Sequence, residues 1–184
     1  ELDLDTLKVV SSFLMAYGIA DCDESVKNAC RNALRDIIAA YGASDDSIGF
    51  LLPHLDDILK NGAADTHSLG NLSASKIQNS TVAANRRKEG AVVALGSVAL
   101  HLKGPENAAK IDTTVDMLLA SLKTPNEDVQ ASVADALAKL MKKGNTQDRI
   151  DFIVHQLMND CLDGQSGAVR RGSAYGLAAA IKGS

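Results

Sequence analysis

The chain has 184 residues and a formal charge of −4, from 19 basic and 23 acidic side chains; it is long enough for a sizeable core and has no global attraction to nucleic acid or anionic lipid. Aromatic residues make up 3%, Trp is absent and Pro numbers 3, a composition that favours helices, because sheets draw on aromatic and β-branched side chains. Cys22, Cys30 and Cys161 form an odd set without Cys-x-x-Cys spacing, which excludes a disulfide framework or zinc ribbon and predicts buried thiols in a reducing compartment.

No apolar run approaches the roughly 20 residues that cross a membrane, and no basic-then-apolar leader is present. The first residue is Glu1, not Met, which predicts an excised or processed chain. Charge is unevenly placed. Residues 1–65 hold 12 acidic and 5 basic side chains, a net −7, and residues 66–184 hold 11 acidic and 14 basic, a net +3. Any contact with a polyanion is therefore expected in the later part.

In chain order, Leu7, Val10, Phe13 and Leu14 predict a first apolar helix. Asp21 and Asp23 suit the cap of a second, whose face is Val26, Ala29, Cys30, Ala33, Leu34 and Ile37. The offsets 3, 4, 7, 8 and 11 put these six on one side of a helix. Ile48, Leu51, Leu52, Leu55, Ile58 and Leu59 predict the next helix, with a kink at Pro53. Residues 62–82 are polar and lack a long apolar stripe, which predicts an insertion, either a loop or an embellished turn.

The same offsets then return. Arg87, Gly90, Ala91, Ala94, Leu95 and Val98 match loosely; Val129, Ser132, Val133, Ala136, Leu137 and Leu140 match closely, as do Val169, Gly172, Ser173, Gly176, Leu177 and Ala180. Small residues at several sites suit close approach of helices. Each copy is preceded by an apolar helix: Ile111, Val115, Leu118, Leu119 and Leu122 for the third, then Ile150, Ile153, Val154, Leu157 and Leu162 for the fourth. Thr124-Pro125-Asn126 and Gly164-Gln165-Ser166 break the chain between partners. Gly42, Gly62, Gly104 and Gly144 are placed to end helices. Successive copies lie 61, 42 and 40 residues apart, and the last two intervals fit the about 40–47 residue period of HEAT and armadillo arrays. The expected fold is all-α, an α-solenoid of about four HEAT-type antiparallel helix pairs. Their expected bounds are about 3–43, 44–104 with the insertion 62–82, 105–144 and 145–183.

No catalytic or cofactor chemistry is legible. His54, His67, His101 and His155 are scattered, without metal-ligand spacing. The glycines of residues 90–96 lie in a helix and follow no strand, unlike a phosphate loop. Asp45-Asp46, Asp56-Asp57 and Glu127-Asp128 are read as helix-start or solvated carboxylates. The glycosylation patterns at Asn71 and Asn79 are accidental in a cytosolic chain. Only the basic clusters have binding potential: Arg86, Arg87 and Lys88; Lys142 and Lys143; Arg170 and Arg171. Lys and Arg contact phosphate without a base-reading motif, so these are the candidate ribosome or partner contacts. The structural alternative is that such arginines hydrogen-bond neighbouring repeats.

The run Val169-Arg170-Arg171-Gly172-Ser173-Ala174-Tyr175-Gly176-Leu177-Ala178, continued by Ala179-Ala180-Ile181-Lys182-Gly183, resembles a segment of the general-control translational activator family. Gly96-Ser97-Val98-Ala99-Leu100-His101-Leu102 and Leu119-Ala120-Ser121-Leu122-Lys123-Thr124-Pro125, with Val129-Gln130 and Ser132-Val133-Ala134, resemble the repeats before it. The likeness covers residues 84–184, and the first 83 by pattern alone. It implies a segment just before that family's elongation-factor-three-like region, in a cytoplasmic, noncatalytic scaffold that binds ribosomal RNA and proteins and passes a stalling signal to the amino-acid-starvation kinase. It implies no small-molecule substrate, cofactor, metal or membrane, and a fragment that is monomeric and binds ribosomes weakly by itself. The competing expectations are a HEAT scaffold of another class, such as a transport receptor or a phosphatase or kinase assembly subunit, and a helical regulatory domain of an ATP-driven factor. The last helix carries apolar residues near 174–181, where a terminal repeat normally has a polar cap, so an exposed apolar end is expected there.

Overall fold

A computed structural model describes residues 3–19, 21, 23–41, 44–61, 80–102, 104–142 and 146–183. Among them are eight α-helices and no strand. The chain divides into two compact units, Glu1–Ala91 and Val92–Ser184.

In the first unit, α1 (Leu4–Phe13) starts where the Asp3 carboxylate accepts the Thr6 N–H at 2.7 Å. It runs into a π-helical turn, Leu14–Gly18, closed by the Ile19 N–H on the Leu14 carbonyl at 2.8 Å. Gly18 is required there, because a side chain would collide with the Cys30 thiol of α2 (Glu24–Tyr41). Asp23 caps α2 by accepting the N–H groups of Ser25 and Val26, and Asp21 accepts that of Asp23. The hydroxyl donated by Ser25 holds the Asp23 carboxyl below its usual range, with the two backbone bonds adding to it. The helix α3 (Asp45–Asn61) runs without interruption through Pro53 and buries Ile48, Leu51, Leu52, Leu55 and Ile58. The helix α4 (Ser80–Ala99) begins inside the expected insertion; residues 62–79 lie outside the described residues, as do Gly42, Gly62 and Gly144.

The second unit takes up α4 at Val92, with Leu95, Val98 and Ala99 buried. Gly104 has φ +81°, the left-handed region that glycine accepts without a Cβ clash. It leads into a 3-10 turn, Pro105–Asn107, and does not close the last turn of α4, which ends at Ala99. Then follow α5 (Ala108–Leu122), α6 (Glu127–Met141), α7 (Gln147–Asp163) and α8 (Gly167–Gly183). Asn126, Thr146 and Ser166 each accept the N–H three residues on, capping α6, α7 and α8. Helices α5 and α6 are in contact and are joined by a turn of four residues, and α7 and α8 are in contact and joined by a turn of three. Contacting helices joined by so short a turn form helical hairpins. Helix α8 packs on α6 as well as α7, so the second pair stacks on the first. The fold is all-α, of the α-solenoid class.

The expected faces are buried most completely in this second unit: Ile111, Val115, Leu118, Leu119 and Leu122 on α5, and Val129, Val133, Ala136, Leu137 and Leu140 on α6. Elsewhere the structure corrects the pattern. Phe13 is exposed and rests on Tyr17, with ring centroids 5.4 Å apart; it lies six residues after Leu7, off the face that Leu7 and Ser11 define. Leu162 is exposed because it lies five residues after Leu157, off the face that three- and four-residue steps define. In α2 the fully buried residues are Leu34 and Ile38, and Val26 is exposed. Cys30 and Cys161 are half-buried thiols.

Candidate functional site

The seven basic residues fall into two groups. Arg86, Arg87 and Lys88 lie half-buried on the first unit's part of α4. In the second unit Lys142 is exposed at the end of α6, and Lys143 lies outside the described residues. Arg170 and Arg171 are exposed on α8, and both are hydrogen-bonded within the chain. Arg170 donates to the Gly164 carbonyl at 2.7 Å. Arg171 donates to the Pro125 carbonyl at 2.8 Å and to Gln130 Oε1 at 2.9 Å. Arg171 thus reaches the preceding helix pair, and Arg170 bonds within its own.

Gln130 is the centre of this cluster and is fully buried. Its Nε2 donates to the carbonyls of Leu122, Thr124 and Ala168, at 2.9, 2.7 and 2.8 Å. The Leu122 carbonyl, the last of α5, and the Thr124 carbonyl in the turn before Pro125 have no continuing helix to bond, and the Gln130 amide donates to both from the first turn of α6. The third bond reaches α8. Close approach depends on Gly172, where a Cβ would collide with the Leu122 carbonyl and lie 2.8 Å from Gln130 Nε2, and on Gly176, where it would lie 2.7 Å from Leu122 Cδ1. At the rim, the Tyr175 hydroxyl donates to Glu127 Oε1 at 2.6 Å, which raises the phenol pKa above its usual value. Lys123 and Asp160 pair at 2.9 Å, and Arg149 and Asp112 at 2.7 Å, fastening α7 to α5. Burial alone would raise the Asp160 carboxyl, but hydrogen bonds from Lys123 and Gln156 outweigh it and hold the group low.

The first unit has two polar contacts that apolar spacing does not signal. The buried Glu89 carboxylate of α4 meets Arg31 and, at 3.5 Å, Lys27 of α2. Ser12 lies 2.9 Å from His54 Nε2, joining α1 to α3. The His54 ring stacks on Phe50, and the Lys8 ammonium lies over Phe50. Burial lowers the His54 pKa, the Lys8 charge lowers it further, and Asp57 opposes both. Glu127 and Asp128 lie in the first turn of α6, where carboxylates favour the helix dipole, and Asp56 pairs with Lys60 at 2.6 Å. No group of three or more His, Cys, Asp or Glu among the described residues is placed to hold a metal ion. No helix among them is long and apolar enough to cross a membrane.

Comparison with known proteins adds the decisive observation. The human protein named stalled ribosome sensor GCN1 is 28% identical over 182 residues, 99% of this chain and 6% of the relative. The Saccharomyces cerevisiae protein named eIF-2-alpha kinase activator GCN1 is 28% identical over 182 residues, 97% of this chain and 6% of its own length. Homologues of this chain are GCN1 proteins. The mouse GCN1 is 35% identical over 96 residues, 52% of this chain and 3% of the relative. The likeness to GCN1 therefore extends through the first 83 residues, beyond the stretch in which the sequence motifs are legible. The chain spans about 6% of the length of the human and yeast GCN1. No family model and no solved structure matches.

Proposed function

We propose that this chain is a noncatalytic HEAT-repeat scaffold segment of a cytoplasmic, ribosome-binding translational activator that couples stalled or collided ribosomes to the amino-acid-starvation kinase. The observation that carries the reading is likeness along nearly the whole chain to relatives named stalled ribosome sensor and eIF-2-alpha kinase activator. The helix pairs suit such a role, because stacked repeats present an extended surface that spans distant points on a large particle. The proposed array has four pairs, at about 3–43, 44–104, 105–144 and 145–183. The proposed ribosome or partner contacts are Arg86, Arg87, Lys88, Lys142, Lys143, Arg170 and Arg171, the last two of which also bond within the chain.

The test uses the parent protein on stalled ribosomes. Ultraviolet crosslinks from this segment to ribosomal RNA or ribosomal proteins, reduced when Lys142 and Lys143 or residues 86–88 are changed to Glu, support the reading. Crosslinks confined to non-ribosomal proteins would assign the segment to a protein-binding scaffold of another class.

A further inference from the structure

Helix α7 presents two apolar side chains on a side that the stacking of helix pairs leaves open. A 39-residue shift superposes α5 on α7, taking the buried Thr114 and Leu118 to the buried Ile153 and Leu157. The same shift takes Thr113 and Lys123 to Phe152 and Leu162. Thr113 and Lys123 are exposed although the α7 and α8 pair follows α5 and is fastened to it, so these positions lie outside the seam between successive pairs. Met158 differs, because its counterpart Leu119 is buried. Where α5 carries a hydroxyl and an ammonium, α7 therefore carries Phe152, 55% exposed, and Leu162, 75% exposed. Each stands five residues from Leu157, one before it and one after, so at 3.6 residues per turn both point about 140° away from that buried side chain. They are about 15 Å apart along the helix axis.

The surroundings are acidic. Asp148, Asp151 and Asp163 are exposed on α7, and Asp112 and Asp116 are exposed on α5, which two ion pairs hold alongside. Arg149 is the one lysine or arginine in α7; its side chain is only 14% exposed and is bonded to Asp112. Carboxylates around an apolar strip repel the phosphates of nucleic acid and anionic lipid, and they attract a cationic polypeptide. An amphipathic helix meets such a strip with its apolar side chains and the flanking charges with its polar ones.

We infer that the outer face of α7 is a docking surface for a basic amphipathic helix of a protein partner. Its apolar side chains cover Phe152 and Leu162, and its lysines or arginines meet Asp148, Asp151 and Asp163. This contact is separate from the basic clusters proposed for the ribosome and does not depend on that reading.

The probe is a fluorescein-labelled helical peptide of about 18 residues, or five turns, with leucines along one face and lysines elsewhere. The same peptide with glutamates in place of the lysines is the control. Fluorescence anisotropy with the 184-residue chain is expected to show saturable binding of the lysine peptide and none of the glutamate peptide. The double variant Phe152→Ser with Leu162→Ser, confirmed as folded by circular dichroism, is expected to bind about tenfold more weakly or worse. Asp148→Asn with Asp163→Asn is expected to weaken binding and flatten its dependence on salt. Ile181→Ser, which changes an exposed apolar residue of α8, is expected to leave binding unchanged. A lysine peptide that does not bind, or a glutamate peptide that binds equally well, overturns the inference. So does binding that the Phe152 and Leu162 variant retains, or a labelled oligouridylate that binds and is displaced by the lysine peptide from this face.

Discussion

The side-chain amide of Gln130 lies 2.8 Å from the main-chain carbonyl of Ala168, 38 residues away in sequence. This bond crosses from α6 to α8, while the same amide serves the carbonyls of Leu122 and Thr124. The expected consequence of Gln130→Leu is a loss of about 2–3 kcal/mol, because buried carbonyls lose their donor and cost more unpaired than an ordinary hydrogen bond contributes. Urea unfolding followed by circular dichroism measures it. A loss below about 0.5 kcal/mol would show that these carbonyls have adequate alternative partners.

Two glycines separate close approach from helix propensity. Gly172→Ala places a methyl group against the Leu122 backbone and should destabilise by about 2 kcal/mol or more. Gly49→Ala, on an exposed face of α3 with nothing within 4 Å, should instead stabilise by about 0.5–1 kcal/mol. Thermal melts of the two variants should shift in opposite directions.

The Glu89 ion cluster predicts an order of effects. Removing the cation with Arg31→Met leaves a carboxylate whose side chain is only 6% exposed facing Lys27 alone. Removing the carboxylate with Glu89→Met leaves cations that can reach water through their exposed fractions. Arg31→Met should therefore cost more, about 2–3 kcal/mol against about 1–2 kcal/mol. The reverse order in denaturant titrations would contradict the inward burial of Glu89.

His54 gives the first unit a pH dependence. Its folded pKa lies below the ordinary value of 6.5, because burial and then Lys8 disfavour the charged ring. The unfolded chain thus binds the proton more readily, so the contribution of the neutral ring is complete above 6.5 and is lost as pH falls through the folded pKa. Between pH 7.5 and 5.0 the wild type should lose more thermal stability than His54→Gln, and equal losses would remove His54 from the account.

Apolar spacing made the helices and the all-α class legible, Asp23 announced a helix start through its short acceptor side chain, and the triplets ending at Asn126 and Ser166 marked chain breaks. The polar contacts were harder to find for a physical reason. Gln130 is polar and stands beside a turn, where exposure is the default, and its burial follows from α8 arriving some forty residues later. Arg170 and Arg171 look like a surface cluster in one dimension, since their acceptors at Gly164, Pro125 and Gln130 are main-chain carbonyls or lie in another helix. The exposed Phe13 stands six residues after Leu7, a step that an ordinary helix carries off its buried face, so its apolar character alone misplaced it. For the functional reading, the Arg-Arg-Gly-Ser-Ala-Tyr-Gly string was informative through its resemblance to the general-control translational activator family; the contacts that Arg171, Gly172 and Tyr175 make emerged only in the fold.

The Gln130 amide has two hydrogens and faces three acceptors. One proton must always be divided between oxygens, so no rotation of the amide can fully satisfy all three. A small tilt of α8 can then shift weight from the Ala168 oxygen to those of Leu122 and Thr124 before any contact is severed. Shear between α6 and α8 would therefore weaken these bonds by degrees.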